Sequence, residues 1–321
     1  MSQNTSHTSQ ASHESPGDVV DIVTRTLREW ALPEPSFDGD KEVRGHVLIV
    51  GGAREMPGAV MLAATAALRA GAGKLTIATA ASTAPLVAMA IPEARVIGLA
   101  ETANGGFTIE AARKLGELAG KASAMLVGPG MQDEGATAEL VHALLPRFTG
   151  TPIVLDACAM EAVRAAGEPH LLDEPKDMAH FRFIDRVLLT PHAGELSHLT
   201  GTDKADIAAD PRGAALAAAR RWNAVVALKG ATTVIAAPEG RRWQHEGGNI
   251  GLAISGSGDV LAGIIVGLAA RGASLEQAAA WGVALHASAG DQLSIKYGVL
   301  GYLAREISAE VPGLLRTLAP A

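Results

Sequence analysis

Cysteine, aromatic residues and basic charge are all scarce in this sequence. Cys158 is the one cysteine among 321 residues, so an internal disulfide and a zinc site built from cysteines are both excluded. Aromatic residues make up 3% of the chain, which disfavours an aromatic-rich β-sandwich. With 27 basic and 34 acidic side chains the formal charge is −7. A general nucleic-acid binder, which needs a basic surface, is therefore not expected.

Long apolar segments are missing as well. Leu75–Pro92 carries no charge but contains two prolines, and Gly247–Ala270 has Asp259 near its middle. Neither is the run of about 20 strongly apolar residues that crosses a membrane. Residues 1–17 lack the apolar centre of a secretory signal. These absences, with the single cysteine, predict a cytoplasmic protein in a reducing compartment, with no membrane partner.

Short apolar runs alternate with helical patterns along the chain, and nearly every run ends in glycine or a polar cluster. This alternation predicts an α/β fold with a mostly parallel sheet covered on both faces. We expect a flexible tail and linker over residues 1–40, with a short helix at 19–30, and a single domain over 41–321. The predicted strands are His46–Val50, Leu75–Ala78, Ala124–Val127, Ile153–Leu155, Val187–Leu189, Val225–Leu228 and Thr233–Ala236, and the predicted helices include Ala59–Ala70, Ala214–Trp222 and Val260–Ala270.

Gly256, Ser257, Gly258 and Asp259 stand at the start of the apolar helix. Two glycines let consecutive N–H groups turn toward one point, and the helix N-terminus adds about half a positive charge, so a phosphoryl group could be held there. Asp259 would then face a substrate hydroxyl as general base. A plain helix cap predicts the same four residues.

Two further polar segments follow predicted strands. Lys229-Gly230-Ala231-Thr232-Thr233 could contact nucleotide phosphates, or form only a tight turn into the next strand. In Thr190-Pro191-His192-Ala193-Gly194-Glu195, Glu195 could order a magnesium ion through water and His192 could bind a polar ligand. The same residues also fit a helix start with Thr190 as N-cap. Asp156, after another strand, is either a site residue or a cap.

Taken in chain order, five segments resemble the ADP-dependent NAD(P)H-hydrate dehydratases of the ribokinase-like superfamily, over roughly residues 41–315. The resemblance implies a three-layer α/β/α fold around a mostly parallel sheet. The segments are His46–Ala59, with Gly51-Gly52-Ala53-Arg54-Glu55-Met56-Pro57-Gly58, then Gly128-Pro129-Gly130, Leu189–Glu195, Lys229–Thr233 and Gly248–Gly263.

This resemblance implies a repair reaction. The family dehydrates the (6S) hydrates of NADH and NADPH (NADHX and NADPHX), with ADP as co-substrate, and yields NAD(P)H, AMP and phosphate. Phosphorylation of the substrate hydroxyl makes a good leaving group, which is then eliminated, so that charge stabilisation is the main demand on the site. The resemblance implies three further features: Mg²⁺, a homotetramer and an epimerase on a separate chain. The residues before position 41 are too few to form an epimerase domain.

The resemblance also implies roles for individual residues. Asp259 would be the base and contact the substrate hydroxyl, with the N-terminal helix turn around it. Glu195 would order the magnesium ion through water. The catalytic group is Asp259, Gly256, Ser257 and Gly258; the ADP or AMP group is Lys229, Gly230, Ala231, Thr232, Thr233 and Gly258; the NAD(P)HX group is Ala59, Gly130, His192, Asp259 and Asn249.

Two positions depart from the family pattern. Ser257 replaces a threonine and keeps the hydroxyl, whereas Cys158 replaces the second carboxylate of an Asp-Ala-Asp segment that here begins at Asp156. The nearest alternative function is a ribokinase-like kinase of a small alcohol, such as a thiazole or pyrimidine vitamin precursor. A non-catalytic protein that senses ADP or a dinucleotide is a third candidate. A nicotinamide oxidoreductase is a poor fit, because the glycines of Gly51–Gly58 lack dinucleotide-fingerprint spacing.

Overall fold

The computed structural model describes residues 19–34, 41–165, 183 and 186–319, and within them ten strands form one sheet. The strands are β1 (Val19–Asp21), β2 (His46–Val50), β3 (Lys74–Ala80), β4 (Arg95–Leu99), β5 (Ala124–Val127), β6 (Ile153–Leu155), β7 (Val187–Leu189), β8 (Val225–Leu228), β9 (Thr232–Ala236) and β10 (Arg242–Glu246). The α-helices are α1 (Thr24–Glu29), α2 (Pro57–Arg69), α3 (Ala84–Ala90), α4 (Glu110–Gly116), α5 (Glu134–Leu144), α6 (Ala162–Ala165), α7 (Ala193–Thr200), α8 (Lys204–Ala209), α9 (Pro211–Trp222), α10 (Ser257–Ala270), α11 (Leu275–Tyr297) and α12 (Ala304–Leu318).

The sheet is parallel apart from one strand. Its order is β1-β10-β9-β8-β7-β6-β5-β2-β3-β4, and β9 runs antiparallel to both of its neighbours. The predicted mostly parallel α/β sheet is therefore confirmed. Because parallel strands end at the same edge, the segments that follow β2, β5, β6, β7 and β8 share one rim, where ligands of open α/β sheets bind.

Two hydrophobic cores lie on opposite faces of this sheet. In β2, Val47 and Ile49 belong to one core, whereas Leu48 and Val50 belong to the other, as expected for a strand that is buried on both faces. Residues of α2, α10, α11 and α12 complete the first core, and residues of α4, α5, α7 and α9 complete the second. The result is the predicted three-layer α/β/α arrangement.

Helices α2 and α10 pack at very short range because small residues line their contact. A Cβ on Gly263 would lie 2.3 Å from the carbonyl oxygen of Ala63, and one on Gly267 would lie 2.6 Å from that of Ala67. A real side chain is not tolerated at such distances, so the two glycines are required by the close approach. This packing fixes the start of α10 relative to α2 at the rim of the sheet.

Residues 19–34 belong to the sheet and its first core, whereas the sequence predicted a flexible segment up to residue 40 with a helix at 19–30. Residues 19–21 are instead a strand, β1, and the helix is confined to α1. The ring of Trp30 stacks on Trp243 with centroids 5.4 Å apart, and Trp281 Nε1 donates to the Trp30 carbonyl at 2.9 Å. Three residues are too few for periodicity to separate strand from helix. The tail predicted over residues 1–17 and the linker over 35–40 lie outside the described residues.

Among the described helices, none has the length and apolar character needed to span a bilayer.

Candidate active site

Helix α10 begins at the rim of the sheet with an open first turn. Its N-cap, Gly256, has φ +89°, a left-handed conformation that favours glycine, and no side chain caps the helix. The first N–H groups of a helix have no partner within it. Those of Gly258 and Asp259 are therefore available to an anion, at the end of the helix where the dipole favours negative charge.

Lys229 brings a cation to this turn. It follows β8, and a Cβ on Gly258 would lie 3.6 Å from its Nζ. Lys229 Nζ is 3.4 Å from Asp156 Oδ1 and 3.6 Å from Glu195 Oε2, with one fifth of the side chain exposed. Burial alone would lower the pKa of Lys229, but the carboxylates of Asp156 and Glu195 raise it above its ordinary value. The ammonium therefore stays charged.

Asp156 is the buried anion of the site. Its side chain is 5% exposed, and Thr190, at the end of β7, donates from Oγ1 to Asp156 Oδ1 at 2.6 Å. Asp156 precedes the short 3₁₀ helix Ala157–Glu161, but its side chain makes no capping hydrogen bond there. The cap interpretation of Asp156 is therefore wrong. Its carboxylate instead joins the ends of three neighbouring strands through Thr190 and Lys229.

Asp259 occupies the first turn of α10 as a partly buried carboxyl group. Burial, and then the negative charge of Asp156, raise the pKa of Asp259 to about 7, against the opposing effect of Lys229. A carboxylate with a pKa near neutrality is a stronger base than the same group at its ordinary pKa of 3.8. A perturbed carboxyl, a largely buried cation and an open helix N-terminus lie together at this rim, and such a set is suited to phosphoryl transfer.

His192 and Glu195 lie at the start of α7 in a reciprocal capping arrangement. His192, rather than Thr190, is the N-cap: its Nδ1 accepts from the N–H groups of Gly194 and Glu195 at 3.0 and 3.1 Å. Glu195 Oε2 in turn accepts from the His192 N–H at 2.7 Å. The predicted helix start is therefore present, displaced by two residues. Both His192 and Glu195 line a pocket of 590 Å³.

The same pocket adjoins Cys158. Burial is the largest influence on the Cys158 thiol and raises its pKa, so the thiol is neutral and poorly suited to act as a nucleophile. The charges that shift the pKa of Asp259 come from Asp156 and Lys229 and do not include position 158. The neutral Cys158 thiol therefore adds no charge to the surroundings of Asp259.

A group of possible metal ligands also lines this pocket. Glu134, Glu161 and His198 offer ligand atoms within 4.8 Å of one another. The Arg164 guanidinium, however, is 2.6 Å from His198 Nε2 and 3.1 Å from Glu161 Oε2. Since a cation already pairs with two of the three groups, this cluster is assigned no metal.

The remaining predicted residues fall into two groups. Ala59, in α2, faces Gly130: a Cβ on Gly130 would lie 2.8 Å from the Ala59 Cβ, so these two positions meet at the rim. Gly230 to Thr233 form the turn from β8 into β9 and extend into that strand, so the tight-turn interpretation is borne out. The turn stands directly after Lys229, and the Thr233 hydroxyl contacts both the N–H and the carbonyl of Gly230 within it.

Asn249 has a structural role in the described chain. Its Oδ1 accepts from the Gly251 N–H at 3.0 Å and from the Tyr302 hydroxyl at 2.9 Å, and its Nδ2 donates to Asp291 at 3.1 Å. The amide thereby holds the 3₁₀ helix Ile250–Leu252 that leads into Gly256.

Sequence reasoning missed His286, whose Nε2 is 3.0 Å from Ser257 Oγ. A histidine within the long helix α11 carries no motif, so no local signal could have found it. Thr190 was considered only as a cap, and its contact with Asp156 spans 34 residues.

Three comparisons with known proteins agree with this geometry. Residues 47–313 match the Carb_kinase family, described as NAD(P)H-hydrate dehydratase. The chain is 48% identical over 302 residues to the ADP-dependent (S)-NAD(P)H-hydrate dehydratase of Xanthomonas campestris pv. campestris, with 94% of this chain and 97% of that one covered.

A bifunctional NAD(P)H-hydrate repair enzyme from Moorella thermoacetica is 40% identical, and the match covers 92% of this chain but 54% of that enzyme. Among solved structures, the ADP/ATP-dependent NAD(P)H-hydrate dehydratase of Bacillus subtilis, co-crystallised with ATP/Mg²⁺, superposes with a TM-score of 0.77 at 28% identity. The superposition covers 94% of this chain and 99% of that one.

Proposed function

Because the chain belongs to the NAD(P)H-hydrate dehydratase family, we propose that its rim site carries out the ADP-dependent dehydration of (S)-NAD(P)H hydrate. The products are NAD(P)H, AMP and phosphate. The observation that carries this assignment is Asp259, a carboxyl with a pKa of about 7, placed in the open first turn of α10 beside the Lys229 ammonium. The agreement of family, relatives and fold favours this reaction over phosphorylation of a small alcohol.

The proposed reaction has two steps. Asp259 takes the proton of the substrate hydroxyl as its oxygen attacks the β-phosphorus of ADP, and AMP leaves with the electrons of the broken P–O bond. The ring carbon–oxygen bond of the phosphorylated hydroxyl then breaks, phosphate departs with the electrons of that bond, and the ring loses a proton, which restores NAD(P)H. Lys229 and the N–H groups of the first turn stabilise the charge on the transferred phosphoryl group.

The two substrates occupy different sides of that turn in this proposal. Lys229 and the backbone of Gly230 to Thr233 hold the AMP portion of ADP, next to Gly258. Ala59 and Gly130, which meet at the rim, and the exposed His192 ring face the hydrated dinucleotide. Asn249 acts through the backbone that it holds. The pocket of 590 Å³ beside His192 and Glu195 gives room for a large substrate.

Glu195 fits a water-mediated magnesium site. Its Oε2 accepts from the His192 N–H and faces Lys229, which leaves Oε1 to hold a metal-bound water, the kind of contact that Mg²⁺ prefers. Mg²⁺ would shield the negative charge of the diphosphate. Glu195 would hold its hydration shell at the rim, and Asp156, bound to Thr190 and Lys229, would not be a ligand.

The activity is expected to depend on pH through Asp259. A base with a pKa of about 7 is protonated and inactive below that pH, so kcat/KM should fall about tenfold per pH unit from pH 7 down to pH 5. Replacing Asp156 by Asn removes the charge that helps to raise this pKa and should move the profile toward acid. Stopped assays across pH 5–9 on both proteins measure this. A flat profile through pH 6 would contradict the assignment of Asp259.

Absorbance near 340 nm tests the function directly. Purified protein is given (S)-hydrated NADH, Mg²⁺ and either ADP or ATP, and the absorbance of reduced nicotinamide should rise with ADP, with one phosphate released per NADH formed. ADP consumption with accumulation of a phosphorylated dinucleotide, and no rise at 340 nm, would instead indicate a kinase that stops after the first step.

We further propose that the chain forms a homotetramer, is cytoplasmic like the cofactors it would repair, and works with a separate epimerase. Exposed apolar residues support self-association, and the second activity of the longer Moorella enzyme supports the link to another repair step. The apolar residues are Ile250, Ile295, Tyr297, Val299, Leu300 and Leu303.

A further inference from the structure

His286 of α11 lies against the first residue of α10. Its Nε2 is 3.0 Å from Ser257 Oγ and 3.1 Å from the Ser257 carbonyl oxygen. Ser257 itself is buried, with 5% of its surface exposed, and immediately precedes Gly258 and Asp259. The imidazole therefore contacts the first turn of α10 through Ser257 alone, at its hydroxyl oxygen and its carbonyl oxygen.

These two contacts determine which ring nitrogen carries the proton. A carbonyl oxygen can only accept a hydrogen bond, so a 3.1 Å contact with Nε2 requires that Nε2 donates. Burial lowers the pKa of His286 to about 4, and the ring is neutral at working pH. In a neutral ring with the proton on Nε2, Nδ1 carries none. The Nε2–H is then shared between the carbonyl and the hydroxyl oxygen of Ser257.

The Ser257 hydroxyl consequently accepts from His286 and keeps its own proton for another acceptor. Within the described part of the chain, this hydroxyl forms no second hydrogen bond. A buried donor without a partner is costly, and this one stands on the turn whose N–H groups await an anion. A phosphoryl oxygen bound at that turn is the acceptor that would satisfy it.

We propose that His286 is a positioning residue, which orients the Ser257 hydroxyl so that it donates to the phosphoryl group transferred from ADP. This rests on the proposed function of the site. The Ser257 hydroxyl then joins Lys229 and the helix N–H groups in stabilising the transferred phosphoryl group. This stabilisation matters most in the transition state, where the negative charge is greatest. His286 does not exchange a proton during the reaction. It fixes the direction of one hydrogen bond.

The first test is kinetic, with Ser257→Ala, His286→Leu and the double variant. Loss of either residue should lower kcat at least about tenfold while KM for ADP changes little, because the contact strengthens only as charge develops. If His286 acts through Ser257, the double variant should be no slower than Ser257→Ala. Ser257→Thr, which retains the hydroxyl, and His286→Gln, which retains a donor, should recover most of the rate. Thermal melting of every variant separates folding defects from rate effects.

The proposal would be overturned if the losses of kcat in the two single variants multiplied in the double variant. It would also be overturned if Ser257→Ala kept its full kcat.

A second measurement needs no turnover. The two nitrogens of a neutral imidazole differ strongly in ¹⁵N chemical shift, so ¹⁵N-histidine spectra, assigned with the His286→Gln variant, report which one is protonated. A protonated Nε2 is expected, and a protonated Nδ1 would overturn the proposal. If the unaltered protein fails to restore NADH while its Nε2 is protonated, the failure lies in the proposed function instead.

Discussion

Asp259→Asn is expected to lower kcat by about a thousandfold and to leave the affinity for ADP within a few fold. Asparagine keeps the size of the side chain but cannot take the proton of the substrate hydroxyl. The diphosphate would still meet the Lys229 ammonium and the N–H groups of α10, so binding should survive. Rates from the 340 nm assay and ADP binding by isothermal titration calorimetry measure the two quantities separately.

The same substitution should make the folded protein more heat-stable at pH 8. The pKa of Asp259 is raised in the folded state from 3.8 to about 7, so the folded protein binds this proton more tightly than the unfolded chain does. Stability is therefore lost as the pH rises from about 4 to 7, and the Asn variant escapes that loss. An active site that is costly to the fold is a common compromise.

Glu276→Gln is the matched control for Asp259→Asn. Glu276 also stands in the first turn of a helix, α11, and pairs with Arg241 at 3.5 Å. Loss of its charge should leave kcat unchanged. If Asp259→Asn kept more than a tenth of the activity, or lost ADP binding along with turnover, the assignment of Asp259 as the base would fail.

Lys229→Met is expected to lower kcat/KM by at least about a hundredfold and to destabilise the fold. Methionine approximates the lysine stem without the ammonium, so the transferred phosphoryl group loses its cation. The 5% exposed Asp156 carboxylate would also lose a partner. Breaking a buried pair on one side typically costs about 3 kcal/mol of unfolding free energy, which urea denaturation would measure.

A second variant separates these two effects. In Lys229→Met combined with Asp156→Asn, both charges are gone, and the neutral amide can still accept from Thr190. Stability should recover while activity stays low. If stability remained low in the double variant, the Lys229–Asp156 pair would not be the source of the loss. If activity returned, Lys229 would have no role in charge stabilisation.

Much of this fold could be predicted from the sequence because buried parallel strands are short, wholly apolar runs with sharp ends. The predicted bounds of β5, β6, β7 and β8 coincide with the observed ones. By contrast, β4, which starts with an exposed arginine, and β10, Arg-Trp-Gln-His-Glu, have no such composition. Helix α11 is rich in alanine and buried on most of its surface, so it lacks the polar face that reveals a helix in a sequence.

The candidate site was only partly accessible to sequence reasoning. The glycines before Asp259 and the polar residues after each strand mark the rim, because backbone turns and strand ends have recognisable composition. The contacts that give the site its electrostatics are long-range: Lys229 reaches Asp156 across 73 residues. Position 286 belongs to the site only because α11 packs on α10. Such partners depend on tertiary structure and leave no local pattern.

Strand β1 sets an order of events for synthesis. Val19 pairs with Arg242, so β1 has no partner in the sheet until more than 200 further residues have been made. Until then β10 is absent and β1 can only remain extended or bind elsewhere, since long-range pairing comes late in folding. A ribosome-bound chain stalled shortly before residue 242 should therefore leave residues 19–34 open to proteolysis, and one released after β10 should protect them.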